Sequence, residues 1–402
     1  MTEEVSNDYI VNMLTLRYDP TGRPPIRKRT WKDFMPSEVG SPEKKAEDLI
    51  CNEIRRKIEE RKPEAVSIGL SGGVDSTLIL TLIRKLYPHL RVTAVAATFN
   101  DDMDESTEAK RIADLFDCEF RVINLENPLK DLAKLIGVIQ EPRWNLYFYH
   151  VVEEASRHGE VFFTGDGGDE LYGGYTFRYR KFMESTRGAL GWRDKAVAYL
   201  NCHERDWVPD QKDMFGGGVR FEWERMYSLF KDYFDNPLDS LNQVFLADFN
   251  GKLLYDWIPT DTRIYSSLGV DACSPLLQET VIDFSTHLPA ASKYDPIQDE
   301  GKLVLRSILR RHGVQVRSGK RGFGMDLPTL WRRYGKSEIV RVLSEGSRIL
   351  TSGLISKEWF DLAFERAEKG DPRYINKMLG LVALEHWLNI GRSGRAGVAQ
   401  TS

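Results

Sequence analysis

The sequence predicts an α/β fold, a doubly wound parallel sheet followed by a mostly α-helical C-terminal portion. Three observations predict it. Short apolar runs at 65–70 (AVSIGL), 92–99 (VTAVAATF), 119–125 (EFRVINL) and 160–165 (EVFFTG) read as buried strands. Helical stretches alternate with them, an order that calls for parallel pairing through crossovers. Beyond residue 175 strand signals thin, and helical stretches dominate between loops such as FGGGVR (215–220).

The elements follow in order. Residues 1–40 are polar and punctuated by Pro and Gly. Within them DPTGRPPIRKRTWKDF (19–34) carries a small basic cluster and reads as a solvated arm rather than a docked one. Ser41 is the expected N-cap of a helix with Pro42 at its first position and Glu43 in its first turn. Ala46, Leu49, Ile50, Ile54 and Ile58 give that helix an apolar stripe. Further helices are expected at 76–87, 104–117 and 145–158. The expected organisation is an N-terminal extension (1–40), an α/β core (41–175), a helical portion packed on it (176–390) and a flexible tail (391–402).

Composition narrows the function. With 402 residues and 41% hydrophobic content the chain can bury a large core. A net charge of −4 provides no basic field for nucleic acid. Cys51, Cys118, Cys202 and Cys273 are widely spaced without a CxxC pair, which speaks against a zinc site or a disulfide framework and for a reducing cytoplasm. There is no signal-like N-terminus and no run of 18 apolar residues, so no membrane segment is expected.

Two stretches carry chemistry. SIGLSGGVDSTLIL (67–80) places a glycine-rich turn between strand and helix. Gly72 and Gly73 permit close backbone approach, and Ser71, Ser76 and the free N–H groups of the helix start can cradle an anion. Neither GxxxxGK[ST] nor GxGxxG is present. Asp75 inside an anion-binding turn would repel its ligand without a cation, and Mg²⁺ shared between Asp75 and a phosphate resolves the conflict. The second stretch, FFTGDGGDELYGGY (162–175), gathers Asp166, Asp169 and Glu170 among glycines directly after the fourth strand.

The SGGxDS turn resembles the pyrophosphate loop of the N-type ATP pyrophosphatases, an adenine nucleotide alpha hydrolase-like family with a HUP-like fold. TGDGGDELYGGY (164–175), about 90 residues further on, resembles the signature of the asparagine synthetase B type synthetase domain. DEGKLVLRSILRR (299–311) and SGKRGFGMDLPTLW (318–331) resemble two later segments of that domain, and GLVALEHWL (380–388) its last helix. The resemblance covers about 41–390. It implies an ATP-dependent carbon–nitrogen ligase. Such an enzyme adenylates a carboxylate, aspartate being the leading candidate, releases pyrophosphate and transfers ammonia or an amine to give an amide and AMP.

The resemblance also implies roles. Leu70, Ala97, Thr164 and Gly165 would flank the adenosine, and Ser71, Gly72, Gly73, Asp75 and Ser76 would hold the pyrophosphate. Asp75 and Asp169 would be the Mg²⁺ carboxylates. Lys302 and Lys320 would neutralise developing charge, while Asp166 would take the proton of the nitrogen nucleophile. Glu170, Arg263, Asp271 and Arg306 are weaker expectations for substrate binding. Glutamine-dependent members begin Met-Cys at the head of a glutaminase domain. Here Thr2 follows Met1, so the expectation is free ammonia, an amine, or ammonia from a separate amidotransferase subunit. A homo-oligomer is left open.

The run TRIYSSLGVDACSPLLQ (262–278) departs from the family pattern. Arg263 and Pro275 persist, but Asp271 stands for a glutamate, Cys273 for an arginine and Gln278 for an aspartate. Losing an arginine fork suited to a carboxylate opens the acceptor to acids other than aspartate. Three alternative readings stand beside this one. A related amide-forming synthetase or cyclase on another carboxylate or amine keeps the same chemistry, although β-lactam synthetases lack an acidic residue at the Asp166 position. A tRNA-modifying pyrophosphatase fits poorly with the acidic net charge and the absence of CxxC. A scaffold with lapsed chemistry would not keep Asp75, Asp166, Asp169, Glu170 and Lys302.

Overall fold

A computed structural model describes residues 6–99, 106–188, 191–316 and 324–396. Its central sheet has five parallel strands, β1 (Ala65–Gly69), β2 (Arg91–Thr98), β3 (Glu119–Asn124), β4 (Val161–Phe163) and β5 (Asp271–Cys273), in the order β3-β2-β1-β4-β5. The doubly wound α/β fold is as the alternation predicted. The four expected strands lie within a residue or two of their predicted limits. The apolar runs pair directly, Val66 with Val92 and Val161, and Ile68 with Ala94 and Phe163. Being buried from both sides, such strands read as continuous rather than alternating hydrophobic runs.

The chain winds from β1 outward through β2 to β3, then returns to the other side of β1 for β4. The right-handed rule for parallel crossovers places the helices Val74–Leu86 and Phe148–Ala155, both packed on β1, on opposite faces of the sheet. The carboxyl ends of β1 and β4 thus flank the point where the winding reverses, the place where open α/β sheets bind ligands. Both chemistry-bearing loops leave the sheet there.

The fifth strand was not expected. DAC is only three residues long and holds no β-branched side chain, so propensity does not announce it. It pairs with β4 through Val161–Asp271 and Phe163–Cys273. The pocket-forming stretch expected at 271–278 therefore begins as a strand of the sheet.

The N-terminal segment differs from the expected solvated arm. Asn7–Leu16 is a helix that buries Ile10, Val11, Met13, Leu14 and Leu16. Tyr18, Arg29 and Phe34 are also buried. The Arg29 guanidinium donates to Asp283 at 2.6 Å and pairs with Glu279 at 2.8 Å, while Asn250 bonds both the N–H (2.9 Å) and the carbonyl (2.8 Å) of Arg29. Within the basic cluster Arg29 docks on acidic residues of the same chain, while Arg23, Arg27, Lys28 and Lys32 stay exposed as expected. Ser41 also departs from its expected role. It sits in the left-handed region at φ 57°, and its side chain makes no cap bond, although the helix does begin at Pro42. Leu49 is only half-buried, and Cys51 takes its place in the buried stripe.

Helices dominate after residue 175 as expected, ending in one that runs Pro372–Ala396 and so enters the stretch expected as a tail. A two-strand hairpin, Tyr294–Asp295 with Glu300–Gly301, interrupts them. Lys293, just before it, is fully buried, with its ammonium facing the rings of Phe245 (4.9 Å) and Phe34 (5.7 Å) and no hydrogen-bond partner among the described residues. Burial pushes its pKa down to about 7, against a smaller opposing pull from Asp239.

Two predictions follow from this packing. Deleting residues 1–34 strips apolar partners from the core and is expected to abolish soluble, cooperatively unfolding protein, as read by circular dichroism during heating. Lys293→Met is expected to stabilise the fold by a few kcal/mol below about pH 7. There the lysine is charged in both folded and unfolded chains, and burying the charge counts in full. The gain shrinks as pH rises from about 7 towards 10.5, where only the unfolded chain still holds the proton. Urea unfolding at a series of pH values measures it.

Candidate active site

The loop after β1 turns on Gly72, in the left-handed region at φ 69°, and enters the helix Val74–Leu86 through an extended Gly73. Ser76 accepts from the Ser71 N–H and Ser71 accepts from the Gly73 N–H, both at 3.3 Å. These bonds hold a turn of backbone donors at a helix start, where the macrodipole favours an anion. Asp75 lies in the first turn and is buried. Leu70 is buried at the mouth of β1, its N–H on the carbonyl of Val95 (2.9 Å), and Ala97 is near the end of neighbouring β2.

The loop after β4 approaches this turn closely. A Cβ on Gly168 would stand 2.2 Å from Asp75 Oδ1, and one on Gly174 would stand 1.8 Å from Asp169 Oδ1 and 2.5 Å from Lys302 Cε. A Cβ at either position would displace the Asp75 carboxylate or the Asp169–Lys302 pair. The short helix Gly168–Tyr172 carries Asp169 towards the first loop and closes with the Gly174 N–H on the Asp169 carbonyl at 2.8 Å.

Lys302 joins the two loops. Its ammonium lies 2.5 Å from Asp75 Oδ2 and 2.6 Å from Asp169 Oδ1, with the side chain almost wholly buried. Its own backbone is in the left-handed region at φ 59°, a strained state for lysine, and its N–H donates to the Tyr172 carbonyl at 3.0 Å. Burial would lower its pKa, but the charges of Asp169 and Asp75 outweigh that and raise it well above the usual lysine range. One cation thus occupies a position that both carboxylates share.

That position is suited to Mg²⁺. The ion takes oxygen ligands, usually one or two carboxylates completed by phosphate oxygens and water. Asp75 and Asp169 are such a pair beside an anion-binding turn. No group of three or more His, Cys, Asp or Glu side chains able to hold a metal occurs among the described residues, so a cage made of protein alone is not what the geometry offers.

On the other side of Thr164 lies a second cluster. Thr164 donates to Asp166 Oδ2 at 2.6 Å and lies 2.7 Å from the Ser274 hydroxyl, and Tyr265 donates to the same Asp166 oxygen at 3.3 Å. Ser274, Tyr265 and the nearby Asp261 were missed in the sequence. Tyr265 and Asp261 are spaced i,i+4 on the helix Ile258–Leu268, but nothing local ties that face to a loop about 100 residues earlier.

The remaining expected residues go elsewhere. Glu170 is buried and points to Tyr175, whose hydroxyl donates to it at 2.5 Å. Burial, reinforced by Asp169, pushes its pKa up to about 8. Arg263 donates to the Ile139 carbonyl and to Glu141. Arg306 donates to the Gly301 carbonyl at 3.1 Å, close to its partner Glu300. Asp271, at the start of β5, pairs with Lys57 and Arg61, two residues back from the strand's carboxyl end. Arg263, Asp271 and Arg306 thus each have a partner within the chain. Gln278 accepts from Arg56 at 3.1 Å, and the Cys273 thiol is buried and pushed up to about 12 by that burial. Lys320 lies outside the described residues.

Sheet order, glycine-rich turn and acidic second loop together define an α/β protein of the ATP pyrophosphatase fold. The asparagine synthase family model matches residues 47–389, and the chain belongs to that family. The glutamine-hydrolyzing asparagine synthetase 1 of Bacillus subtilis (strain 168) is 30% identical over 304 residues, covering 65% of this chain and 47% of that protein. The NH(3)-dependent NAD(+) synthetase of Carboxydothermus hydrogenoformans is 36% identical over 91 residues, 23% of this chain and 37% of that protein. The chain spans about half or less of the length of these curated relatives. Among solved structures, the NH3-dependent NAD synthetase of Campylobacter jejuni matches with a TM-score of 0.27 at 20% identity, over 41% of this chain and 76% of that one. The NMN synthetase of Francisella tularensis matches with a TM-score of 0.28 at 18% identity, over 51% and 92%. No helix among the described residues is long and apolar enough to cross a membrane.

Lys302→Met removes the cation between two carboxylates. It is expected to lower stability by about 2–3 kcal/mol, and added Mg²⁺ should raise the melting temperature more in this variant than in the wild type. Thermal unfolding with and without Mg²⁺ reads both effects.

Proposed function

We propose that this chain is an ATP-dependent amide-forming ligase. It adenylates a carboxylate with release of pyrophosphate, then transfers ammonia or an amine to give an amide and AMP. The observation that carries the reading is the meeting of Asp75 and Asp169 on one cation position, beside a backbone anion cradle, where the winding of the sheet reverses.

In this reading Leu70, Ala97, Thr164 and Gly165 flank the adenosine at the strand ends. The turn Ser71–Gly72–Gly73 and Ser76 hold the leaving pyrophosphate with backbone and hydroxyl donors. Asp75 and Asp169 would hold Mg²⁺, which supplies charge neutralisation to the phosphates. The acceptor carboxylate attacks the α-phosphorus in line, a step governed by positioning and charge. Lys302 is close enough to serve the phosphates and the later oxyanion, and Lys320 is assigned to the same work on the family pattern alone. Asp166 then takes the proton from the nitrogen as it attacks the acyl-adenylate.

Aspartate is the leading acceptor. A different acid is favoured by one observation: the segment expected to bind it carries Cys273 where an arginine stood in the pattern, and that thiol is buried in β5. Nitrogen comes as ammonia, as an amine, or from a separate amidotransferase subunit. Four free cysteines agree with a cytoplasmic setting.

The test is pyrophosphate release with ATP, Mg²⁺ and ammonium across a panel of carboxylates. Asparagine and AMP formed with aspartate support the leading acceptor, turnover with another acid alone moves the acceptor, and absence of AMP with every acid overturns the reading. Asp75→Asn is expected to lower pyrophosphate release at least about 1,000-fold while circular dichroism stays native. A variant as active as the wild type would refute the role of Asp75.

A further inference from the structure

The helix Ile258–Leu268 brings a phenol to the one acidic side chain that the reaction above uses as a base. We propose that Tyr265 is a positioning residue for Asp166, fixing the carboxylate that receives the proton of the nitrogen nucleophile. The inference rests on the functional reading just given and deepens it.

The tyrosine is itself held. Its ring meets Phe162 of β4 edge-on, centroids 6.0 Å apart at 64°, and Phe148 at 6.5 Å and 73°. Phe162 and Phe148 are in turn 6.3 Å apart, so the three rings form one wedge between sheet and helix. Such edge-on contacts fix a ring's orientation. The hydroxyl at its tip reaches Asp166 Oδ2 at 3.3 Å, where the Thr164 hydroxyl also donates at 2.6 Å. Two donors from different elements on one oxygen oppose rotation of the carboxylate. Thr164 is anchored by Ser274 at 2.7 Å, which ties the second donor to the end of β5.

The surroundings keep both donors in donating form. Burial, with the charge of Asp166 beside it, raises Tyr265 far above the usual phenol range, so it retains its proton. Asp261, one turn earlier on the same helix, is raised well above the usual carboxylate range, first by burial and then by Asp166 and Asp256, with Arg143 opposing. That shift disfavours a second negative charge next to Asp166. Among the groups facing Asp166 are Thr164 from its own loop and Tyr265 and Asp261 from the helix. Arg143 and Asp256 lie behind Asp261, paired with each other. A hydrogen-bond donor favours the charged form of a carboxylate, so removing the phenol makes the base bind its proton at higher pH.

The experiment separates the two half-reactions in Tyr265→Phe, using the acid found active in the wild type with ammonium as the nitrogen source. Carboxylate-dependent exchange of pyrophosphate into ATP reads adenylation alone and is expected within about threefold of wild type. Amide formation is expected to fall about 10–100-fold, with the acid limb of its pH profile moved to higher pH. Equal loss in both half-reactions, or an unmoved pH profile, would overturn the inference. A second measurement needs no turnover. In protein labelled with carboxyl-¹³C aspartate, the resonance that disappears in Asp166→Asn should titrate at higher pH in Tyr265→Phe than in the wild type, and an unchanged titration would overturn the inference. Wild-type protein inactive with every acid would count against the functional reading, while the titration would still decide the tyrosine.

Discussion

Everything in the cleft depends on one ammonium group held between two carboxylates. Lys302 touches Asp75 from the loop after β1 and Asp169 from the loop after β4. Three segments far apart in the chain are joined at a single point. Opposite charges at this separation in a buried setting attract strongly, but removing them from water is expensive, so the arrangement holds only while every partner stays in place. In the proposed function, a cation bringing phosphate oxygens would take over the two carboxylates and free the lysine for the phosphates.

The surrounding backbone is shaped to allow that meeting. Gly168 and Gly174 have no room for a Cβ, because the Asp75 carboxylate and the Asp169–Lys302 pair occupy the space. Lys302 itself accepts a left-handed backbone to reach the gap, at a cost of about 1–3 kcal/mol. The strain is borne by a hairpin and by the bond from Lys302 to the Tyr172 carbonyl. Glu170 contributes from below. Buried and raised to about 8, it keeps a proton at neutral pH and braces Tyr175 without adding charge beside Asp169. Of four acidic side chains near the two loops, Asp75, Asp166 and Asp169 face the cleft and Glu170 faces inward.

The N-terminal segment shows how a polar stretch can be structural. Arg29 is enclosed and paired to Glu279 and Asp283, and the helix Asn7–Leu16 buries its apolar residues against the C-terminal helix. The one charge that the segment buries, Arg29, is neutralised by partners about 250 residues away. Nothing within a window of fifteen residues could reveal that pairing.

The sequence alone determined four of the five strands and the two loops that follow the first and fourth of them. Four apolar runs spaced by helices require parallel strands, and SGGVDS and TGDGGDE follow the first and fourth of them. Local composition suffices because those features are local: a strand's hydrophobicity, a turn's glycines, a carboxylate beside an anion site. The tertiary structure decided what depends on distant partners. It set Lys302 between Asp75 and Asp169, brought Tyr265 and Ser274 to Thr164 and Asp166, made a strand of the weak run Asp271–Cys273, and paired Arg263 with Glu141 and Asp271 with Lys57. Each of those outcomes is settled by contacts across a hundred residues or more, or by packing against a neighbour, and such contacts have no periodicity along the chain to be read.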